Sequence, residues 1–113
     1  MWRLYGLSNC DACRKAAAWL KARRRAFEFH DLRAESLTPE LLDAWESRLG
    51  WESLLNRKST TWRGLEESEK TDLDRDRALD LMRRHPTLIK RPILATEHVL
   101  LLGFSPARYA ELP

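Results

Sequence analysis

Trp2-Arg3-Leu4-Tyr5-Gly6-Leu7-Ser8-Asn9-Cys10-Asp11-Ala12-Cys13-Arg14-Lys15 is the stretch from which the fold is read. Its first four residues alternate weakly in polarity, as a short strand does. From Cys13 onward, Ala16, Ala17, Trp19, Leu20 and Arg23 recur at helical spacing, which predicts a helix from about Asp11 to about Arg24. Ala26-Phe27-Glu28-Phe29-His30-Asp31 then alternates apolar and polar, the pattern of a half-buried strand. The chain therefore begins β-α-β, a parallel pair joined by a right-handed helical crossover. Both of its cysteines fall at the first β-to-α turn.

That position carries the chemistry. A thiol in the first turn of a helix faces unpaired backbone N–H groups and the positive end of the helix dipole. Both favour the thiolate, which is the nucleophilic form. Cys10 reads as a nucleophile that attacks an oxidised sulfur or an electron-poor oxyanion centre. Cys13, one turn further in, reads either as the thiol that resolves a mixed disulfide or as a helix residue facing the sheet. Asn9 and Asp11 flank the thiol, and either can cap the helix. Arg14 either supports a thiolate or a bound carboxylate, or is solvated charge. Lys15 reads as surface charge.

Working outward, 113 residues fit one domain with a single core, and no linker divides them. No apolar run approaches the ~20 residues of a membrane span. Met1 to Gly6 turns polar too quickly for a signal peptide, so a soluble cytoplasmic protein without membrane contact is expected. Two cysteines do not make a disulfide scaffold. His30, His85 and His98 do not lie at ligand spacing from them, so no metal site is expected. The net charge of +3 is spread over both signs. The basic run Lys21 to Arg25 complements the end of a helix better than it reads nucleic acid, and direct nucleic-acid binding is not expected.

Thr38-Pro39-Glu40 starts the next helix, with Thr38 as cap, Leu41, Leu42, Trp45 and Leu49 as its buried stripe and Gly50 as its stop. Trp51 to Leu55 reads as a further turn, Asn56 to Arg63 as a loop and Glu66 to Lys70 as a short helical segment. Asp74 to Arg84 is a strong helix, closed by His85-Pro86. Ile93-Leu94-Ala95 and Val99 to Leu102 read as a hairpin, and Ser105 caps a last short helix. Trp19, Trp45 and Trp51 read as core. The order is β-α-β, a helical insert over about 38–70, then α-β-β-α. With a parallel pair and a hairpin, the sheet is expected to be mixed and four-stranded.

A β-α-β…β-β-α order with a thiol at the first turn is the thioredoxin-like α/β arrangement. The chain resembles the arsenate reductase (ArsC)/Spx/YffB family, most closely its YffB-like branch. The resemblance rests on four pieces. They are Tyr5 to Asp11 with Arg14-Lys15-Ala16, Leu55-Asn56-Arg57 with Thr60 to Arg63, Leu88-Ile89-Lys90-Arg91-Pro92-Ile93, and Leu102-Gly103-Phe104-Ser105-Pro106. It implies a reactive Cys10, anion-binding Arg57 and Arg91, and a Pro92 that in such folds usually follows a cis peptide bond beside the thiol. YffB-like proteins are regarded as glutathione-dependent thiol reductases, which implies glutathione as co-substrate and no tightly bound cofactor. Spx-like members use Cys-x-x-Cys as a disulfide switch and bind the α subunit of RNA polymerase. The arsenate reductases carry a third arginine before the last helix. This chain has none there until Arg108, which disfavours arsenate reduction.

Overall fold

Trp2–Gly6 forms β1, Asp11–Ala22 the helix α1 and Phe27–Asp31 the strand β2 in a computed structural model that describes residues 1–35 and 37–113. Two compact units follow from the contacts. The first takes Met1–Glu35 and Arg91–Pro113, and the second the described residues 37–90.

The first unit is built on a mixed four-stranded sheet in the order β2-β1-β3-β4, with β3 at Ile93–Ala95 and β4 at Leu100–Leu102. β1 is paired on both sides. It runs parallel to β2, with Trp2 opposite Phe27 and Gly6 opposite Asp31, and antiparallel to β3, with Leu4 opposite Leu94. Thr96 closes the β3–β4 hairpin by accepting the Val99 amide on its hydroxyl at 3.0 Å. The alternation in β1 sends Trp2 and Leu4 to one face, where they meet Ala16 and Leu20 of α1, Leu94 and Tyr109. Tyr109 belongs to α7, Pro106–Ala110, whose first turn is capped by the Ser105 hydroxyl.

α1 ends at Ala22 rather than at Arg24, which adopts φ +56°. Of the basic run only Lys21 remains in the last helical turn. Arg23 lies over the Trp19 ring at 3.7 Å and Arg25 over the Trp2 ring at 3.9 Å, so two of these charges cover aromatic faces instead of facing the helix end. Trp19 itself is only half-buried and meets Tyr109 edge-on at 5.6 Å.

Tyr109 is 1% exposed, and its hydroxyl has no hydrogen-bond partner among the described residues. Burial, with the neighbouring Cys13 adding to it, pushes its phenol well above the ordinary tyrosine range. A buried, unsatisfied hydroxyl costs about 1 kcal/mol or more. Tyr109→Phe is therefore expected to raise the thermal midpoint by roughly 4 °C. Unfolded tyrosine ionises near pH 10 while the native phenol stays protonated, so native stability falls as pH rises above about 10. The Phe variant should lose less stability there. A variant no more stable than the parent at neutral pH would show that the hydroxyl is satisfied.

The second unit is helical. Thr38 caps α2, Pro39–Leu49, by accepting the Leu41 amide at 3.2 Å, and Gly50 ends it at φ +83°. Its buried residues include Leu42 and Trp45 of α2, Ala78, Leu79, Leu81 and Met82 of α6 (Arg75–Arg84), and Leu54, Leu55, Leu88 and Ile89. Helix α6 spans Arg75–Arg84, with Asp74 as its cap, and Arg75 binds Glu46 at 2.7 Å and Asp43 at 3.3 Å. Between α2 and α6 lie three short helices, α3 at Trp51–Leu54, α4 at Thr60–Arg63 and α5 at Glu67–Lys70. Trp51 is half-buried rather than core.

Helix α4 corrects the expectation of a loop from Asn56 to Arg63. Ser59 caps it by accepting the Trp62 amide at 3.1 Å, and Thr61 is fastened to Thr87 hydroxyl to hydroxyl at 2.6 Å. A single polar turn held by a cap and one long-range hydrogen bond has no apolar periodicity from which to read it.

Candidate active site

The reactive turn is held by backbone before it is tuned by side chains. β1 delivers the chain through Gly6 and Leu7, and the Cys10 amide turns back to the Leu7 carbonyl at 3.2 Å. The Cys10 carbonyl then accepts the Arg14 amide at 3.0 Å, the first bond of α1. Cys10 is itself the N-cap residue, with extended backbone angles. Neither Asn9 nor Asp11 caps, contrary to expectation. Asn9 accepts from the Arg33 guanidinium at 2.7 Å, which ties the turn to the segment after β2, and Asp11 pairs with Lys15 at 3.2 Å. A thiol at the N-cap stands where the first amides of the helix are unpaired, the place a carboxylate or hydroxyl usually fills.

The two thiols are opposites. Cys10 is half-buried and Cys13 is 1% exposed, and both are free. Partial burial pushes the Cys10 thiol up, but opposing contacts outweigh it. These are the Cys13 amide, the Cys13 thiol, and the Arg91 guanidinium by hydrogen bond and by charge. Together they hold Cys10 below the ordinary cysteine range. Burial dominates at Cys13 and, with the thiol hydrogen bond and charge of Cys10 adding to it, pushes that thiol up to about 12, against the lowering effects of the Leu7 amide and Arg91. The structure places Cys13 on the buried face of α1 with Ala16 and Leu20.

Gly6 was not singled out by the sequence, and its role is steric. A Cβ there would collide with the Cys13 sulfur and come within 3.2 Å of the Cys13 Cβ. Only a residue without a side chain lets α1 bring Cys13 this close to β1. The sequence signal, a glycine between a strand and a thiol turn, has no meaning until that distance is known.

Arg91 precedes β3 and is joined to Pro92 by a cis peptide bond. Pro92 is buried, and its carbonyl accepts the Gly103 amide at 2.7 Å, which anchors the Arg91-Pro92 segment to the end of β4. Arg91, Pro92, Asn9, Arg14 and the two cysteines all belong to the first unit. Arg14 is exposed on α1 and stands with Cys13, Leu7 and Ser8 around a surface groove. Arg57 belongs to the second unit, where its guanidinium lies 5.7 Å over the Trp62 ring. Arg108 donates to the Leu102 carbonyl at 2.9 Å, so its guanidinium serves the turn into α7. Among the described residues no cluster of three or more His, Cys, Asp or Glu could hold a metal ion.

Comparison with known proteins places the chain in a family. The profile of the ArsC family matches residues 5–112. A Haemophilus influenzae protein described as uncharacterized is 40% identical over 109 residues, 96% of each chain. The global transcriptional regulator Spx of Lactiplantibacillus plantarum is 32% identical over 106 residues, covering 90% of this chain and 78% of its own. Among solved structures, a YffB protein superposes with a TM-score of 0.93 at 42% identity, covering 97% of this chain and 96% of that one. An arsenate reductase (ArsC) related protein from Brucella melitensis follows with a TM-score of 0.77 at 40% identity, covering 96% and 90%. With the mixed sheet, the thiol at its first turn and Arg91 set against that thiol, the match across nearly the whole length shows that this chain belongs to the ArsC family.

Proposed function

We propose that the chain is a thiol–disulfide oxidoreductase that uses Cys10 as its nucleophile and glutathione as its reductant. The observation that carries this reading is the division between the two thiols. Cys10 is accessible and held toward its thiolate, whereas Cys13 is buried and held protonated. The Cys10 thiolate attacks the glutathione sulfur of a mixed disulfide. A Cys10–glutathione disulfide forms, and the released thiolate takes a proton from water. A second glutathione thiolate attacks the same glutathione sulfur, glutathione disulfide leaves, and Cys10 returns as a thiolate. One mixed disulfide and one glutathione thus become one thiol and one glutathione disulfide.

Arg91 has two tasks in this cycle. It stabilises Cys10 as the attacking group and as the leaving group, and its guanidinium fits a glutathione carboxylate. Cys13 is ill suited to resolve the adduct. Once Cys10 is in a disulfide its charge is gone, but burial, the largest cause of the high Cys13 pKa, remains. Resolution by a second glutathione is therefore the favoured route. Arsenate reduction is not the reading adopted, because the turn Gly103-Phe104-Ser105 before α7 holds no arginine and Arg108 is bound to the backbone.

A redox titration in glutathione buffers, read by intact mass after alkylation, tests the proposal. A glutathione adduct on Cys10 that forms and reverses between about −220 and −320 mV is the expected result. Two cysteines that stay unmodified throughout would refute it. Arg91→Met should slow Cys10 alkylation at pH 7 by about tenfold, since an opposite charge at this range moves a pKa by a unit or more. The inflection of its pH–rate profile should also move to higher pH. An unshifted profile would remove Arg91 from the site.

A second reading is favoured by the likeness to Spx regulators over 90% of the chain. In it the Cys10–Cys13 pair is a switch and the partner is the RNA polymerase α subunit. It predicts an intramolecular disulfide in place of the adduct, and retention of the α subunit on the immobilised protein.

A further inference from the structure

β2 is the outermost strand of the sheet and is paired on one side only. Leu32 donates its amide to the Gly6 carbonyl at 2.9 Å. Alternate residues of a parallel ladder face the same neighbour, so Glu28 and His30 face β1, and the N–H and C=O groups of Phe27 and Phe29 face outward. The side chains of these same two residues line a groove of about 590 Å³ on the first unit, against α1. Ala17 keeps its floor open, and Arg14, Lys21 and Arg25 stand around it.

Arg14, Ala17 and Lys21 share one stripe of α1 by their spacing. Neither the Arg14 nor the Lys21 side chain makes an ion pair or hydrogen bond among the described residues. Arg25 is stacked on Trp2. Phe29 is 38% exposed. Sheet edges are ordinarily blunted by lysine, proline, bulges or a covering segment. β2 carries neither lysine nor proline, and its groove face presents two phenylalanines.

We propose that this edge docks an acidic, extended segment of a partner protein. The segment adds to β2 as a fifth strand, bonded to the outward groups of Phe27 and Phe29. One apolar side chain sits between Ala17 and Phe29, and carboxylates on the same face meet Arg14 and Lys21. Main-chain bonds supply affinity in such strand addition, and alternate side chains supply specificity. Charge complementarity decides the occupant. A second copy of this chain would bring its own three cations to a groove that already holds three. A neutral segment would leave Arg14 and Lys21 unmatched. Cys10 does not line the groove, whereas Leu7, Ser8 and Cys13 border it, so a docked segment lies beside the reactive turn without covering the nucleophile's own lining.

The test is an amide-resolved NMR titration of the full chain with the blocked peptide Glu-Thr-Leu-Thr-Glu. Its glutamates and leucine share one face when extended. Saturable shifts along β2 and α1 are expected, with slowed exchange at the Phe27 and Phe29 amides. The peptide Lys-Thr-Leu-Thr-Lys should give none, and Lys21→Glu, an exposed change, should weaken binding of the acidic peptide at least tenfold. No saturable shift at millimolar peptide would overturn the proposal, as would equal binding of the lysine peptide or shifts without protection of those amides. Protection of the same amides by self-association, without peptide, would assign the edge to a second copy and overturn it equally.

Discussion

Replacing Cys10 with serine is expected to abolish turnover and glutathione adduct formation, while Cys13→Ala keeps most of both. The contrast follows from position. Cys10 occupies the N-cap of α1, where it meets unpaired amides and the Arg91 guanidinium, and these hold its thiol below the ordinary range despite partial burial. A hydroxyl in the same place stays protonated at neutral pH, and its oxygen cannot form a disulfide with glutathione. Cys13 is buried and pushed up to about 12, so it contributes almost no thiolate at neutral pH.

Alkylation of the native protein should therefore label Cys10 alone at pH 7. The rate should inflect below the ordinary cysteine pKa of about 8.5, because a lowered pKa means that the thiolate is already populated as pH rises through that lower value. Above the inflection the rate should be flat, and it should fall tenfold per unit below it. Peptide mapping after limited iodoacetamide treatment checks this directly. Equal labelling of both cysteines in the folded protein, or turnover that survives in Cys10→Ser, would overturn the assignment. Turnover lost in Cys13→Ala with the fold intact would restore Cys13 as the resolving thiol.

Gly6→Ala is expected to destabilise the fold by about 1–3 kcal/mol, the usual cost of forcing extra volume into a packed core. On a chain of this size that lowers the thermal midpoint by roughly 4 °C or more for each kcal/mol. The added methyl collides with the Cys13 sulfur, which sits on the buried face of α1 and has no exposed direction in which to move. Relief must come from displacing α1 relative to β1. The same displacement would disturb the Cys13 amide and thiol that bond to Cys10, so the alkylation inflection should rise along with the loss of stability.

A double-mutant cycle separates the two effects. Cys13→Ala removes the sulfur, and in that background Gly6→Ala should cost less, with the residual 3.2 Å approach to the Cys13 Cβ accounting for what remains. Additive costs would show that the collision is not with Cys13. An unchanged midpoint in Gly6→Ala alone would show that the helix approaches the strand less closely than described.

Both predictions rest on a part of the molecule that was only half legible beforehand. The β-α-β opening could be read because its periods are distinct. Trp2 to Tyr5 and Phe27 to Asp31 alternate, Cys13, Ala16 and Leu20 repeat at helical spacing, and Thr38, Asp74 and Ser105 each begin a helix by accepting an amide three residues on. These are local effects of backbone geometry and hydrogen bonding, and they need no tertiary information. The placing of Cys10 at the start of a helix belongs to the same class. The caps were misassigned because Asn9 is drawn away by Arg33, 24 positions distant in sequence.

α4 escaped because its turn is stabilised by Ser59 locally and by Thr87 from far along the chain, with no apolar stripe to mark it. Trp19 and Trp51 read as core by type, yet whether a large ring is covered depends on what the rest of the chain lays over it.

The order of the elements apart from α4, and the location of the reactive turn, were thus legible in the sequence, because they follow from patterns within about a dozen residues. What depends on the tertiary structure is the contrast between the environments of the two thiols. Burial of Cys13 against Gly6, and the approach of Arg91 to Cys10 from 81 positions away, set the two pKa values apart. Desolvation and charge act through distance in space, and the distance between β1, α1 and the Arg91-Pro92 segment exists only once the sheet has formed.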